Sequence, residues 1–349
     1  MSILEAAVDE QVRRRFGVPI ARLEPVTGGL DDRARVWCAT DDSGALWSVK
    51  ATRRDGRFGL SLAASLADAG VPGVIAPLRA DDGRPWTEDD GVLVSVAPWI
   101  LGEDAVDSGP DALSWEGLGI VLRAVHDSEP PAGAPVRRGI RRADAPPLAR
   151  LADLDERMHA VQDHAVARLW RAHRPRLEAL ARAERRLKRE RTPTTRVPLH
   201  GDPHPGNVVI GVDGRPWLID FDEATVAPRE VDLLLIELGV IFAQPISDEQ
   251  RRAFRAGYGE AAIDDSRIAR FGCVRAIEDA TATAHAALDS EDPGEARESL
   301  ASLEGQLGPH GLVSLVEHAL DRLDPRPPRA HRSSTHRSTP HRTPQQRTP

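Results

Sequence analysis

Lysine is almost missing from this chain. Of 46 basic residues 44 are arginine, and only Lys50 and Lys188 remain. The bias toward Ala, Arg, Gly, Pro and Asp is that of a GC-rich coding sequence, which replaces Lys by Arg wherever chemistry permits. A lysine that survives therefore invites a question about its role. Lys188 lies in RRLKRERT, a solvated helix end, whereas Lys50 closes the alternating stretch LWSVK. Cysteine is equally scarce: Cys38 and Cys273 alone exclude a disulfide framework and a Cys-based metal site. No apolar run approaches the roughly 18–20 residues of a membrane span. The opening MSILEAAVDEQVRRRFG has no apolar stretch long enough for a signal peptide. These absences predict a soluble, cytoplasmic protein.

The formal net charge is −8 over 349 residues. Six arginines and no acid lie beyond Pro325, so residues 1–325 hold 40 basic against 54 acidic groups. A body this acidic repels nucleic acid and anionic membranes, and neither is expected as a partner. It suits a cationic small molecule; protein partners are not readable. The tail 326–349 is a degenerate repeat (HRSST, HRSTP, HRTPQ, QRTP) with almost no apolar side chain to offset its ordering entropy. It is expected to be disordered and without a catalytic part.

Periodicity predicts a helix over 3–16, then strands over 23–26, 34–39 and 46–51, the last two joined by the turn Asp42-Ser43-Gly44. A helix over 57–69 ends at Gly70. A strand is expected from Val71 to near Leu78, a turn-rich excursion over 81–91, and a buried strand over 92–97 ended by Pro98. Beyond it the pattern is helical: 113–126, one or two helices in 148–191, then 233–242, 268–288 and 312–323. Residues 130–147, rich in Pro, Arg and Gly, read as a loop.

The chemistry concentrates in HGDPHPGNVVIGVDGRPWLIDFD, residues 200–222. Asp202 is followed five residues later by Asn207, and after a short apolar hairpin by Asp220. These are the parts for phosphoryl transfer: one carboxylate to orient and deprotonate a hydroxyl, and a carboxamide with a second carboxylate to hold magnesium. Asp202 is the candidate base, and Asn207 and Asp220 are the candidate metal ligands. His200 and His204 flank the base and read as braces of its loop. A rival reading, a His-x-Asp-x-His site for a softer metal in a hydrolase, needs further ligand clusters that the sequence does not offer.

HGDPHPGN followed by LIDFD resembles the signature of the aminoglycoside phosphotransferase family, relatives of choline kinases and more distantly of protein kinases. LIDFDEATVAPREVDLLLI is most similar to its spectinomycin phosphotransferase branch. The resemblance runs from about Leu23 to about Leu288. It implies an α+β, protein-kinase-like two-lobed fold, with an antiparallel-sheet N-lobe over 1–97 and a helical C-lobe over 98–325. It further implies that Gly28 and Gly29 cover the nucleotide phosphates and that Lys50 binds the α and β phosphates. Backbone groups of Ser95 and Ala97 would meet adenine, with Trp99 beside it. Asp222 would approach a second metal or the acceptor, or support from behind. Asp232 would begin the next helix and brace the catalytic loop. The 57–69 helix departs from the family, because it carries no Glu to pair with Lys50; Asp55 and Asp68 are poorly placed substitutes.

The implied reaction moves the γ-phosphoryl group of ATP, with Mg2+, to a hydroxyl of a small molecule. An aminoglycoside or aminocyclitol antibiotic is the first candidate acceptor. A metabolite alcohol (a sugar, a choline-like amine or a homoserine-like compound) and a nucleotide-binding pseudokinase are the alternatives.

Overall fold

The computed structural model describes residues 3–26, 34–134, 136, 145–241 and 245–324. Gly28, Gly29 and the tail 326–349 lie outside the described residues.

Helix α1 (Ile3–Gln11) runs into one π turn (Val12–Phe16) and is followed by strands β1 (Ile20–Pro25), β2 (Ala34–Asp41) and β3 (Leu46–Thr52). Helix α2 (Arg57–Asp68) intervenes before β4 (Thr87–Asp89) and β5 (Val92–Pro98). The five strands form one antiparallel sheet of order β1-β2-β3-β5-β4. The β2–β3 turn is fixed by the Asp41 carboxylate, which accepts from Ser43 Oγ at 2.6 Å, Ser43 N at 2.8 Å, Ala45 N at 2.9 Å and Trp47 Nε1 at 2.9 Å. The Ser43 and Trp47 bonds, which favour its ionised form, hold the Asp41 carboxyl at about 2. On one face Trp37, Val49, Ala51, Val94 and Val96 stack across the strands and are closed over by Val8, Val12, Val18 and Ile20. Side chains alternate along a strand, so Lys50 and its cross-strand partner Ser95 stand on the opposite face.

The strand expected over Val71–Leu78 does not form. Pro72 and Pro77 lack the N–H a ladder needs, and Gly73 turns to φ 80°. The segment instead makes one isolated bridge, Val74 with Leu218, and Leu78 N–H donates to the Val96 carbonyl at 2.7 Å.

The remainder is mostly helical. It comprises β6 (Gly102–Asp104), α3 (Ala105–Ser108), α4 (Trp115–Asp127), α5 (Pro147–Ala160) and α6 (Ala165–Glu190). Three short strands follow: β7 (Val197–Leu199), β8 (Val208–Gly211) and β9 (Pro216–Leu218). Then come β10 (Thr225–Ala227), α7 (Glu230–Leu238), α8 (Asp248–Tyr258), α9 (Asp265–Asp289), α10 (Pro293–Leu307) and α11 (Leu312–Leu323). The α5–α6 break falls at Val161, and the His164 ring accepts from Val166 N to cap α6. Helix α10 was not expected. It buries only Leu303 and Leu307, too thin a stripe to read beside its acidic residues. Helix α9 is the axis of the larger core, with Ala269, Cys273, Ile277, Ala280 and Ala284 fully buried against α5, α6, α7, α10 and α11. Burial pushes the Cys273 thiol up to about 12, so it packs as a small apolar residue. Among the described residues no helix is long and apolar enough to cross a membrane.

Helix α2 lies directly on the turn after Ile219. A Cβ at Gly59 would fall on the Phe221 carbonyl oxygen, which a backbone cannot yield to. Gly59→Ala is therefore expected to lower stability by about 1–3 kcal/mol through overpacking, read as a fall in the urea midpoint.

Candidate active site

Strands β7 and β10 pair antiparallel with Leu199 opposite Thr225, which sets the start of the 200–207 loop beside the end of the 219–224 loop. The hairpin β8–β9 closes the other end, with Val208 opposite Leu218. Two loops separated in sequence by the β8–β9 hairpin are thus held side by side, and side chains cross-link them. His200 Nε2–H donates to the Ile219 carbonyl at 2.8 Å, and Asp202 N–H donates to His200 Nδ1 at 3.3 Å. The carbonyl partner fixes the His200 tautomer. Ile219 N–H donates to the Asn207 carbonyl at 2.9 Å. Asn207 Nδ2 donates to the Asp202 carbonyl at 2.9 Å, which leaves the Asn207 side-chain oxygen for another partner.

Behind the first loop Asp232, on α7, accepts from His200 N at 2.8 Å and Gly201 N at 2.9 Å. It also accepts from His126 Nε2 at 3.1 Å, and His126 Nδ1 in turn accepts from the Tyr258 hydroxyl at 2.7 Å. Asp232 and His126 have no exposed side-chain surface. Burial pushes the Tyr258 phenol up to about 12, so it remains a donor here.

Burial likewise pushes the His200 imidazole below its ordinary value, against the pull of Asp232. The unfolded chain then takes up a proton near pH 6.5 that the folded ring refuses. This contribution to stability is whole above about pH 6.5 and is lost as pH falls through it, at up to about 1.4 kcal/mol per pH unit. His173 and His285 are pushed the same way, by burial first. Urea unfolding at pH 7.5, 6.5 and 5.5 should show falling stability in the parent and a shallower fall in His200→Asn.

The Asp202 carboxylate is not solitary. Arg275 Nη1, from α9, lies 3.1 Å from its Oδ1, and His204 Nε2 stands 3.4 Å from Oδ2. Arg275 is itself anchored by Asp279, Nε to Oδ2 at 2.7 Å. Burial opposes the Arg275 charge, but Asp279 and Asp202 together outweigh it and keep its pKa above the ordinary arginine value. Arg275 went unnoticed in the sequence; its one signal is a charge inside the small-residue run FGCVRAIEDA.

Asp220 adopts φ 59° and ψ 72°, a left-handed conformation that costs a residue other than glycine of order 1–2 kcal/mol. It aims the side chain upward to Lys50, whose Nζ stands 2.8 Å from Asp220 Oδ1 and 2.9 Å from Asp222 Oδ2. Burial pulls the Lys50 ammonium down, and Asp222 with Asp220 more than reverses it. Lys50, His200, Asp202, His204, Asn207, Asp220, Asp222 and Asp232 therefore belong to one connected cluster.

Ser95 and Ala97 stand elsewhere. Trp99 N–H donates to the Leu46 carbonyl on β3, and every second residue of a strand faces the same neighbour. The peptide groups of Ser95 and Ala97 thus point into the β3 ladder, while those of Val96 and Pro98 face away from it. This corrects the expectation that Ser95 and Ala97 meet adenine. Just beyond β5 lies a cavity of about 380 Å³ lined by Trp99, Ile100, Gly102, Glu103, Asp104, Asp107 and Val209. Val209 is two residues past Asn207, so the cavity adjoins the same hairpin. Burial and neighbouring Asp107 raise the Asp104 carboxyl.

A small antiparallel-sheet lobe whose lysine reaches a carboxylate loop of a larger helical lobe is the architecture of protein-kinase-like phosphotransferases. Residues 22–271 match the model of the phosphotransferase enzyme family (APH), and the chain belongs to that family. Its fold is similar to that of a spectinomycin phosphotransferase, APH(9)-Ia, solved with ADP and spectinomycin. The TM-score is 0.74 at 20% identity, over 90% of this chain and 98% of that one. It is also similar to an amicoumacin kinase, hAmiN, solved with AMP-PNP and Ca2+ (TM-score 0.59, 15% identity, 87% and 92% covered). A third similar fold is an aminoglycoside phosphotransferase of Alicyclobacillus acidocaldarius (TM-score 0.58, 18% identity, 92% and 97% covered). In sequence, an uncharacterized protein of Synechocystis sp. is 29% identical over 227 residues, 60% of this chain; the match spans 57% of that relative.

Proposed function

We propose that this chain transfers the γ-phosphoryl group of ATP to a hydroxyl of a small molecule in the cytoplasm, with an aminoglycoside or aminocyclitol antibiotic as the first acceptor class. In this reading the N-lobe spans 1–97 and the helical lobe 98–325. The observation that carries the reading is the cross-linking of Asp202, Asn207 and Asp220 by the Ile219 and Asp202 backbone, with Lys50 reaching Asp220 at 2.8 Å. The donors fit magnesium: the Asn207 side-chain oxygen Oδ1, left over by the Nδ2 bond, and the ionised Asp220 are hard oxygens, and the nucleotide would supply the rest. When bound, the cation neutralises charge on the β and γ phosphates.

In this reading the acceptor oxygen attacks the γ phosphorus in line and the bond to the β–γ bridging oxygen breaks. ADP departs, and the hydroxyl proton goes to Asp202. Arg275 faces Asp202 Oδ1 and His204 faces Oδ2, so both partners orient the carboxylate that receives the proton. Lys50 binds the phosphates. The outward-facing backbone of Pro98, and Ile100 in the cavity beside it, take over the adenine contact assigned to Ser95 and Ala97, with Trp99 and Val209 on the ring.

The test is thermal shift with magnesium-ATP, followed by phosphotransfer over a panel of antibiotics and metabolite alcohols, and by resistance of a susceptible bacterium expressing the gene. Turnover on an aminocyclitol with raised resistance is expected. Turnover on metabolites alone would move the acceptor class, and nucleotide binding without turnover on any acceptor would replace the reading with a pseudokinase.

A further inference from the structure

We propose that Asp222 is the positioning residue for Lys50, filling from below the place that α2 leaves without a carboxylate. The inference rests on the proposed function and deepens it.

The lysine needs an anionic partner to hold its ammonium toward the phosphates. Helix α2, the element above it, does not supply one. Its only acid is Asp68 in the last turn, and that residue pairs with Arg79. Asp55, just before the helix, sits 3.6 Å from Arg57. Nor has α2 room to carry a longer side chain on the face it turns to the 219–224 loop, because Gly59 already rests on the Phe221 carbonyl.

Asp222 rises into this gap. Its Oδ2 is 2.9 Å from Lys50 Nζ, and its side chain is largely buried, like that of Lys50. Its Oδ1 lies 3.3 Å from where a Gly56 Cβ would stand, at the amino end of α2, where the helix dipole favours an anion. Asp220 also touches Lys50, but the proposed function commits Asp220 to the cation. Among the described residues, Asp222 is the partner of Lys50 that remains. Arg54, the other cation from this edge of the sheet, is paired with the next acid, Glu223, at 3.1 Å.

The assignment separates cleanly from a metal-ligand role for Asp222. Removing an anion beside a polyanion should tighten nucleotide binding by simple Coulomb repulsion, so a weakening is diagnostic of lost lysine geometry. The experiment is a double-mutant cycle on nucleotide affinity by calorimetry, with Lys50→Met, Asp222→Asn and the pair, using ATP with magnesium and ADP in EDTA. Asp222→Asn keeps the side-chain shape, and thermal melting checks that each variant folds. Expected is a weakening of about tenfold in the parent background, present with and without magnesium, and less than twofold in the Lys50→Met background. Asp222→Glu, which keeps the charge, should recover most of the affinity. Independent, multiplying effects of the two substitutions, or an Asp222→Asn effect confined to magnesium, would overturn the assignment while leaving the proposed function standing. A parent protein that binds neither nucleotide would overturn both.

Discussion

Asp202→Asn is expected to lower kcat by roughly 10²- to 10⁴-fold, the range a positioned general base contributes. The Kd for magnesium-ATP should stay within about twofold. The amide keeps an oxygen for Arg275 and leaves the Asn207 bond to the Asp202 backbone in place, so the loop holds its shape while losing a proton acceptor. Rapid-quench turnover alongside calorimetric nucleotide binding separates the two quantities. Unchanged kcat in the variant would remove Asp202 from the role of base.

Asp232→Ala is expected to have the largest effect on stability, about 3–5 kcal/mol by urea denaturation. Three donors converge on this one carboxylate: the His200 and Gly201 backbone N–H groups and His126 Nε2. Its removal leaves all three without this acceptor, the His200 N–H and His126 Nε2 in fully buried surroundings. The loss should extend to turnover at temperatures where the variant is still folded, because the same bonds set the position of the 200–207 loop. A variant as stable as its parent would show that the loop is held by its strands alone.

The centre of this site was legible in the sequence because its parts are close along the chain. Asp202, Asn207 and Asp220 fall within 19 residues, joined by a hairpin whose apolar alternation is plain. Lys50 was legible through scarcity and its place at a strand end. What escaped notice travels further or leaves less trace. Arg275 reaches Asp202 across 73 positions, from a helix whose pattern marks it only as core. Strands β7 and β10, three residues each, are too short to show a period, yet they set the two loops side by side. The misassignment of Ser95 and Ala97 has a simpler cause. A buried strand announces its existence, but which way its peptides face depends on register with a neighbour that only coordinates provide. The missing 71–78 strand shows the converse: apolar content without usable N–H groups gives a connector.

The peptide of Ile219 is gripped from both sides, its N–H by Asn207 and its C=O by the His200 ring. The span between the Asp202 loop and Asp220 is accordingly not an adjustable dimension of this protein. Under the proposed function, an acceptor of a different size would have to be accommodated by walls that share no bond with this clasp.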